Sequence, residues 1–173
     1  MNKLKFALIG TGGIAQTYAQ AFQTSECCQL VAVADVREDS AKAFAEPFGA
    51  KSFADYKTLA ENSEIDAVII STPPNTHPEI AMFFMNRGVH VLCEKPLCLS
   101  VAEAKQMIET AEKTGVVFTM ATKFRYCEDV VKAKSILASG MLGEVVQFEN
   151  AFTAKVDMSK RWNSDFAISG GGV

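Results

Sequence analysis

Leu4-Lys5-Phe6-Ala7-Leu8-Ile9 runs without a break into Gly10-Thr11-Gly12-Gly13-Ile14-Ala15, and the reading of this junction decides the fold. The first six residues are apolar-rich and of strand length. The next six spell G-x-G-x-x-A, a turn from a buried strand into a helix that suits a dinucleotide pyrophosphate. Gly10 permits the tight turn. Gly12 lacks the Cβ that would hold the backbone away from the phosphates, and Ala15 is small enough for the helix to lie close to the sheet. The phosphate charge would then face unpaired N–H groups and the positive end of the helix dipole. Gln29 to Ala34 reads as a second strand, and Asp35 ends it, twenty residues after Ala15. A carboxylate there accepts hydrogen bonds from the adenosine ribose and repels a 2′-phosphate, which favours NAD. Arg37, which can pair with a 2′-phosphate, keeps NADP open.

The 173 residues suffice for one well-filled domain and a little more. Seventeen basic and twenty acidic side chains give a net charge of −3, with no basic stripe, which argues against a nucleic-acid partner. Apolar runs are of strand length only, too short to span a membrane, and the Gly-Gly after Ile9 interrupts any signal-peptide core. A cytoplasmic location is expected. The five cysteines (Cys27, Cys28, Cys93, Cys98, Cys127) contain no C-x-x-C pair and read as small buried hydrophobes of a reducing compartment. The two histidines stand in no metal-ligand spacing, so no metal site is expected.

Strand and helix patterns alternate along the chain. Helical spacing over 39–48 stops at Gly49, followed by a short strand at 51–53 and a brief helix that Asp55 could cap. Ala67 to Ile70 is a buried strand, and 78–87 a helix bounded by Pro78 and Gly88. A strand at 89–93 precedes a helix opened by a Ser100–Glu103 capping box. A strand at 116–121 and a helix at 129–138 complete the series. Such alternation predicts a doubly wound parallel α/β sheet, a Rossmann fold, with functional groups at the carboxyl ends of the strands. The stretch 143–153 reads as the first strand of a different, antiparallel sheet. The change of character after Gly140 reads as the beginning of a second domain. The glycine run 170–172 reads as an interruption of that second domain.

Three loops offer chemistry. Ser71-Thr72-Pro73-Pro74-Asn75-Thr76-His77 closes the fourth strand, where the nicotinamide half of a dinucleotide would pass. Asn75 and His77 could touch ribose or substrate, or simply cap the next helix. Glu94-Lys95-Pro96 closes the fifth strand. Lys95 there can orient a substrate hydroxyl or exchange its proton, with partial burial favouring the neutral amine; the alternative is a surface ion pair. Arg125 after the sixth strand could bind substrate or pair across a domain junction. His90 reads as a core or helix-contacting residue, and Trp162 beside Arg161 as a pocket wall or ordinary packing.

GTGGIA, Asp35, TPPNTH, EKP and KFRY, followed by a G-x-x-G-E-V strand, together resemble the Gfo/Idh/MocA oxidoreductases, over essentially the whole chain. The resemblance implies a nucleotide-binding domain over 1–122 and, over 123–173, the incomplete start of a second α/β domain. It implies pyrophosphate contacts from Gly10, Gly12, Gly13 and Ile14 and ribose contact from Asp35. Thr72, Pro73, Asn75 and His77 match the loop along the cofactor, with Ser71 beside them as a further candidate contact. Glu94 and Lys95, which match the E-K-P motif, are candidate cofactor contacts as well. Lys95 is catalytic by that resemblance, and Pro96 follows a cis bond. It also implies hydride transfer between nicotinamide and a sugar, inositol or similar polyol, and a second-domain sheet that builds homo-oligomers. Family members continue into a segment bearing an Asp and a His that join the Lys, so the 173 residues are expected to bind cofactor without a complete active site. A non-catalytic sensor of the same fold is the rival reading, and Lys95 argues against it. An S-adenosylmethionine-dependent methyltransferase is disfavoured by the TPPNTH and EKP loops.

Overall fold

The computed structural model describes residues 3–151, 153, 155, 157 and 162–171. Six strands, β1 (Leu4–Ile9), β2 (Cys28–Ala34), β3 (Lys51–Phe53), β4 (Ala67–Ile70), β5 (His90–Cys93) and β6 (Phe118–Met120), form one sheet in the order β3-β2-β1-β4-β5-β6. Every neighbouring pair is parallel. Between them lie α1 (Ala15–Thr24), α2 (Glu38–Ala45), α3 (Tyr56–Asn62), α4 (His77–Met85) and α5 (Val101–Thr114), followed by α6 (Glu128–Ala138) and α7 (Phe166–Ser169).

The strands show why helices cover both faces. Side chains alternate across a strand, and a register shift between Phe6 and Ala7 that passes over Val31 resets the alternation of β2, so Leu8, Leu30, Val33 and Ile69 face α1 and α2 in one core. Ala7, Ile9, Ala32, Val68, Ile70 and Val91 face the other way, into a core completed by Leu59 of α3, Phe84 and Met85 of α4, and Met107 of α5. Burying each large aliphatic or aromatic side chain contributes roughly 1.5–3 kcal/mol. Local chemistry sets the helix ends. Asp55 accepts the N–H groups of Lys57 and Thr58 at the start of α3. Ser100 accepts the N–H of Glu103 at the start of α5, and the Glu103 carboxylate returns to the Ser100 hydroxyl at 3.0 Å and the Leu99 N–H at 3.1 Å.

Several expectations are corrected. His90 is exposed at the first position of β5, where its Nδ1 accepts the Val117 N–H at 3.0 Å; the amino end of a strand lies outside the helix-covered centre. Only Cys93 is a buried cysteine: Cys27 is exposed, and Cys28, Cys98 and Cys127 are half-buried. The strand expected over 116–121 narrows to β6, and α2 ends at Ala45 in a short 3-10 turn, Glu46–Phe48. The described residues of 143–153 form no strand. A strand needs a hydrogen-bonding neighbour, and the six-stranded sheet provides none for this segment. Phe152 lies outside the described residues.

Candidate functional site

In a sheet of order 3-2-1-4-5-6 successive strands are added to one side up to β3 and to the other side from β4 onward, and a crevice opens beyond the carboxyl ends of the parallel neighbours β1 and β4. The Gly10 turn and the 71–77 loop emerge side by side there. Ser71 Oγ donates to the Gly10 carbonyl at 2.8 Å. Gly10 has φ +92°, and a Cβ on it would stand 2.9 Å from the Ser71 backbone, so only glycine fits. Gly12 and Gly13 differ: a Cβ on either would meet nothing within 4 Å. Their missing side chains leave a gap in front of α1, whose start at Ile14 carries no side-chain cap. Open space, bare glycine backbone and an uncapped helix N-terminus fit a pyrophosphate.

Asp35 is tied to that turn. Its Oδ2 accepts the Thr11 N–H at 2.8 Å and the Thr11 hydroxyl at 2.6 Å, while Oδ1 accepts the Arg37 N–H at 2.9 Å and Arg37 Nε at 3.4 Å. Burial pushes the carboxyl up, but the donors from Thr11 and Arg37 outweigh it and hold the pKa below the usual aspartate value. Arg37 is itself exposed and turned onto the acid. Thr11 Oγ1 also meets Ser40 Oγ of α2 at 2.8 Å. Thr11 and Ser40 escaped the sequence reading, because a hydroxyl inside a glycine turn has no pattern of its own.

The side of the crevice toward β5 is built from two braced loops. Thr72 and Thr76 join hydroxyls at 2.7 Å across the 3-10 turn Pro74–Thr76, and Pro73 and Asn75 are exposed on it. His77 is turned inward, 1% exposed. Its Nε2 lies 2.8 Å from the Thr72 carbonyl, and its Nδ1 lies 3.0 Å and 3.2 Å from the carbonyls of Pro96 and Leu97. The ring thereby bridges the loop after β4 to the loop after β5, where the Lys95–Pro96 peptide bond is cis.

Glu94 is buried. Its Oε1 accepts the Tyr18 hydroxyl at 2.7 Å and its Oε2 the Lys95 N–H at 3.1 Å. Burial and the Glu94 carboxylate push the Tyr18 phenol far above its ordinary pKa, so it stays a donor. Tyr18 was also missed. From the sequence it is one apolar-side residue of α1, and only the fold carries it to the end of β5. Lys95 is exposed, in contrast to the partial burial entertained above. Arg125 is exposed in the 3-10 turn Lys123–Tyr126. Trp162 is part of a turn beside α7, and α7 lies against the Pro74–Thr76 turn; Arg161 lies outside the described residues. A hollow of about 470 Å³ lined by Lys5, Glu64, Asp66 and Arg87 sits at the opposite end of the sheet and shares nothing with this crevice.

The profile of the oxidoreductase family with an NAD-binding Rossmann fold matches residues 4–122. This chain belongs to the Gfo/Idh/MocA oxidoreductases. Among curated relatives, the glucose-6-phosphate 3-dehydrogenase of Bacillus subtilis is 34% identical over 164 residues, 93% of this chain and 46% of that protein. Among solved structures, KijD10, a 3-ketoreductase from Actinomadura kijaniata in complex with NADP and TDP-benzene, superposes with a TM-score of 0.88 at 27% identity, covering 98% of this chain and 53% of that one. The WlbA dehydrogenase from Bordetella pertussis, in complex with NADH and UDP-GlcNAcA, gives 0.76 at 25% identity over 81% of this chain and 42% of that one. The chain thus spans about half the length of the relatives it matches. Among the described residues, no helix is long and apolar enough to cross a membrane.

Proposed function

We propose that this Gfo/Idh/MocA chain is the dinucleotide-binding half of an oxidoreductase acting on the secondary alcohol or carbonyl of a sugar, inositol or similar polyol. The gap before Gly12 and Gly13, with Asp35 anchored to the same turn, is the observation that carries the reading. A bound nicotinamide dinucleotide supplies the hydride chemistry. The chain's own residues do the rest. Gly10, Gly12, Gly13 and Ile14 present backbone to the pyrophosphate, and Asp35 takes the adenosine ribose. Four donors already occupy Asp35. The ribose hydroxyls therefore displace the weakest, the 3.4 Å contact from Arg37 Nε. Ser71, Thr72, Pro73 and Asn75 line the path toward nicotinamide, with His77 holding their loop to the cis-Pro turn. Glu94, fixed by Tyr18, sets the position of Lys95, which orients the substrate oxygen and holds or moves its proton; Arg125 contacts substrate. Cofactor binding is the part of the reaction that these residues supply in this reading. The full-length protein is cytoplasmic and homo-oligomeric in this reading.

NAD is the favoured cofactor over NADP, because the Asp35 carboxylate opposes a 2′-phosphate. Calorimetric titration is expected to give NADH at least tenfold tighter binding than NADPH, about 1.4 kcal/mol. Equal or tighter NADPH binding would reverse the preference, and no binding of either would remove the function. In the enzyme expressed from the complete gene, Lys95→Ala is expected to lower kcat by about 100-fold or more with NADH affinity unchanged. Full turnover by that variant would take the chemistry away from Lys95.

A further inference from the structure

Cys27 and Cys28 lie at the start of β2, the end of the sheet opposite the cofactor crevice. Seven residues of strand, about 23 Å, separate Cys28 from Asp35. The two sulfurs stand 3.6 Å apart on adjacent residues. Around them is a small polar frame. Ser25 Oγ contacts Cys27 Sγ at 3.5 Å and accepts the Cys28 N–H at 3.0 Å, while Lys3 Nζ donates to the Ser25 carbonyl at 2.8 Å. The Cys27 carbonyl accepts the Leu4 N–H at 2.9 Å, which pins the pair to the edge of β1. Cys27 is exposed and Cys28 half-buried.

The spacing discriminates between two chemistries. A disulfide needs sulfurs at about 2.05 Å and Cα atoms usually 4.4–6.8 Å apart, whereas neighbours across a trans peptide stand about 3.8 Å apart. A single tetrahedral centre bonded to both sulfurs at about 2.3 Å would hold them about 3.8 Å apart. The observed separation suits a bridging atom. Among the described residues no third His, Cys, Asp or Glu joins the pair, so the bridging centre must complete its own coordination. A four-coordinate metal ion is thereby poorly served. A three-coordinate centre that already carries one organic substituent is well served.

We propose that Cys27 and Cys28 form a vicinal dithiol site that captures trivalent organic arsenicals, with Cys27 attacking first because it is the exposed sulfur. The Ser25 and Cys28 contacts also hold the Cys27 thiol below its ordinary range, while burial raises Cys28, in keeping with that order. With phenylarsine oxide, two As–S bonds form and two S–H bonds break. The oxygen leaves as one water, and neither sulfur nor arsenic changes oxidation state. The site is independent of the proposed oxidoreductase function, and its test uses no nucleotide.

The 173-residue chain is treated with one equivalent of phenylarsine oxide, desalted and weighed intact. The expected result is one phenylarsenic adduct per chain and the loss of two thiols to Ellman's reagent. Dimercaptopropanol should release the adduct, while the same concentration of thiol as mercaptoethanol should not. Cys27→Ser and Cys28→Ser should each abolish retention, and Cys98→Ser should keep it. No adduct on the unmodified chain, or an adduct retained by Cys27→Ser, would overturn the proposal.

Discussion

Asp35 is the residue on which the two halves of the crevice meet. It holds the glycine turn through Thr11 and the start of α2 through Arg37, so removing its charge loosens both. Hydrogen bonds to an ionised group contribute roughly 1.5–3 kcal/mol. Asp35→Asn keeps the shape and loses the charge, and it is expected to cost about 1–3 kcal/mol by chemical denaturation. The pH dependence follows from the lowered pKa. A carboxyl whose folded pKa lies below its unfolded value of about 3.9 stabilises the fold fully above that value, and the contribution fades as pH falls through the folded pKa. The gap between the native chain and Asp35→Asn should be flat from about pH 5 to 8 and close below about pH 4. A gap that widened in acid would contradict the network. Asp35 was legible because a carboxylate after the second strand is part of a spaced pattern. Tyr18 and Thr11 were not, since their partners stand 76 and 24 residues away and only the folded sheet supplies them.

At the scale of elements, caps and periodicity carried well. Ser100 and Glu103 were readable as a box because the pairing is local, and the structure confirms it at the start of α5. Ser100→Ala is expected to cost about 1 kcal/mol and lower Tm by about 2–4 °C. A thermal melt that does not move would mean the Glu103 carboxylate bonds to Leu99 suffice alone. Boundaries at strand ends were less readable. Val116 and Val117 have strand-forming side chains, yet the ladder on β5 begins at Phe118. Pairing with a neighbour, not β propensity, sets that limit. The same reason governs 143–151, where alternating residues lack a neighbouring strand in the described sheet.

The architecture of the whole molecule turns on β1 and β4 lying side by side with opposite onward directions. That arrangement alone places a glycine turn, an acid and two loops around one crevice, although they are scattered from residue 10 to residue 97. Regular alternation of apolar strands and amphipathic helices made the parallel sheet legible in advance. The inward turn of His77 and the exposure of Lys95 were not legible, because the sequence shows which loop a residue is on and not which way it points.

Two glycines of the first turn separate folding from binding. Gly10→Ala meets the Ser71 backbone and a positive φ, and should cost at least about 1–3 kcal/mol. Gly12→Val adds a side chain into open space and should leave Tm within a degree or two of the native chain. The decisive measurement is NADH titration of Gly12→Val beside the unaltered chain, both checked for intact melting. The pyrophosphate account predicts saturable binding by the unaltered chain and at least a tenfold loss in the variant. A folded Gly12→Val that binds NADH as tightly as the unaltered chain would contradict it.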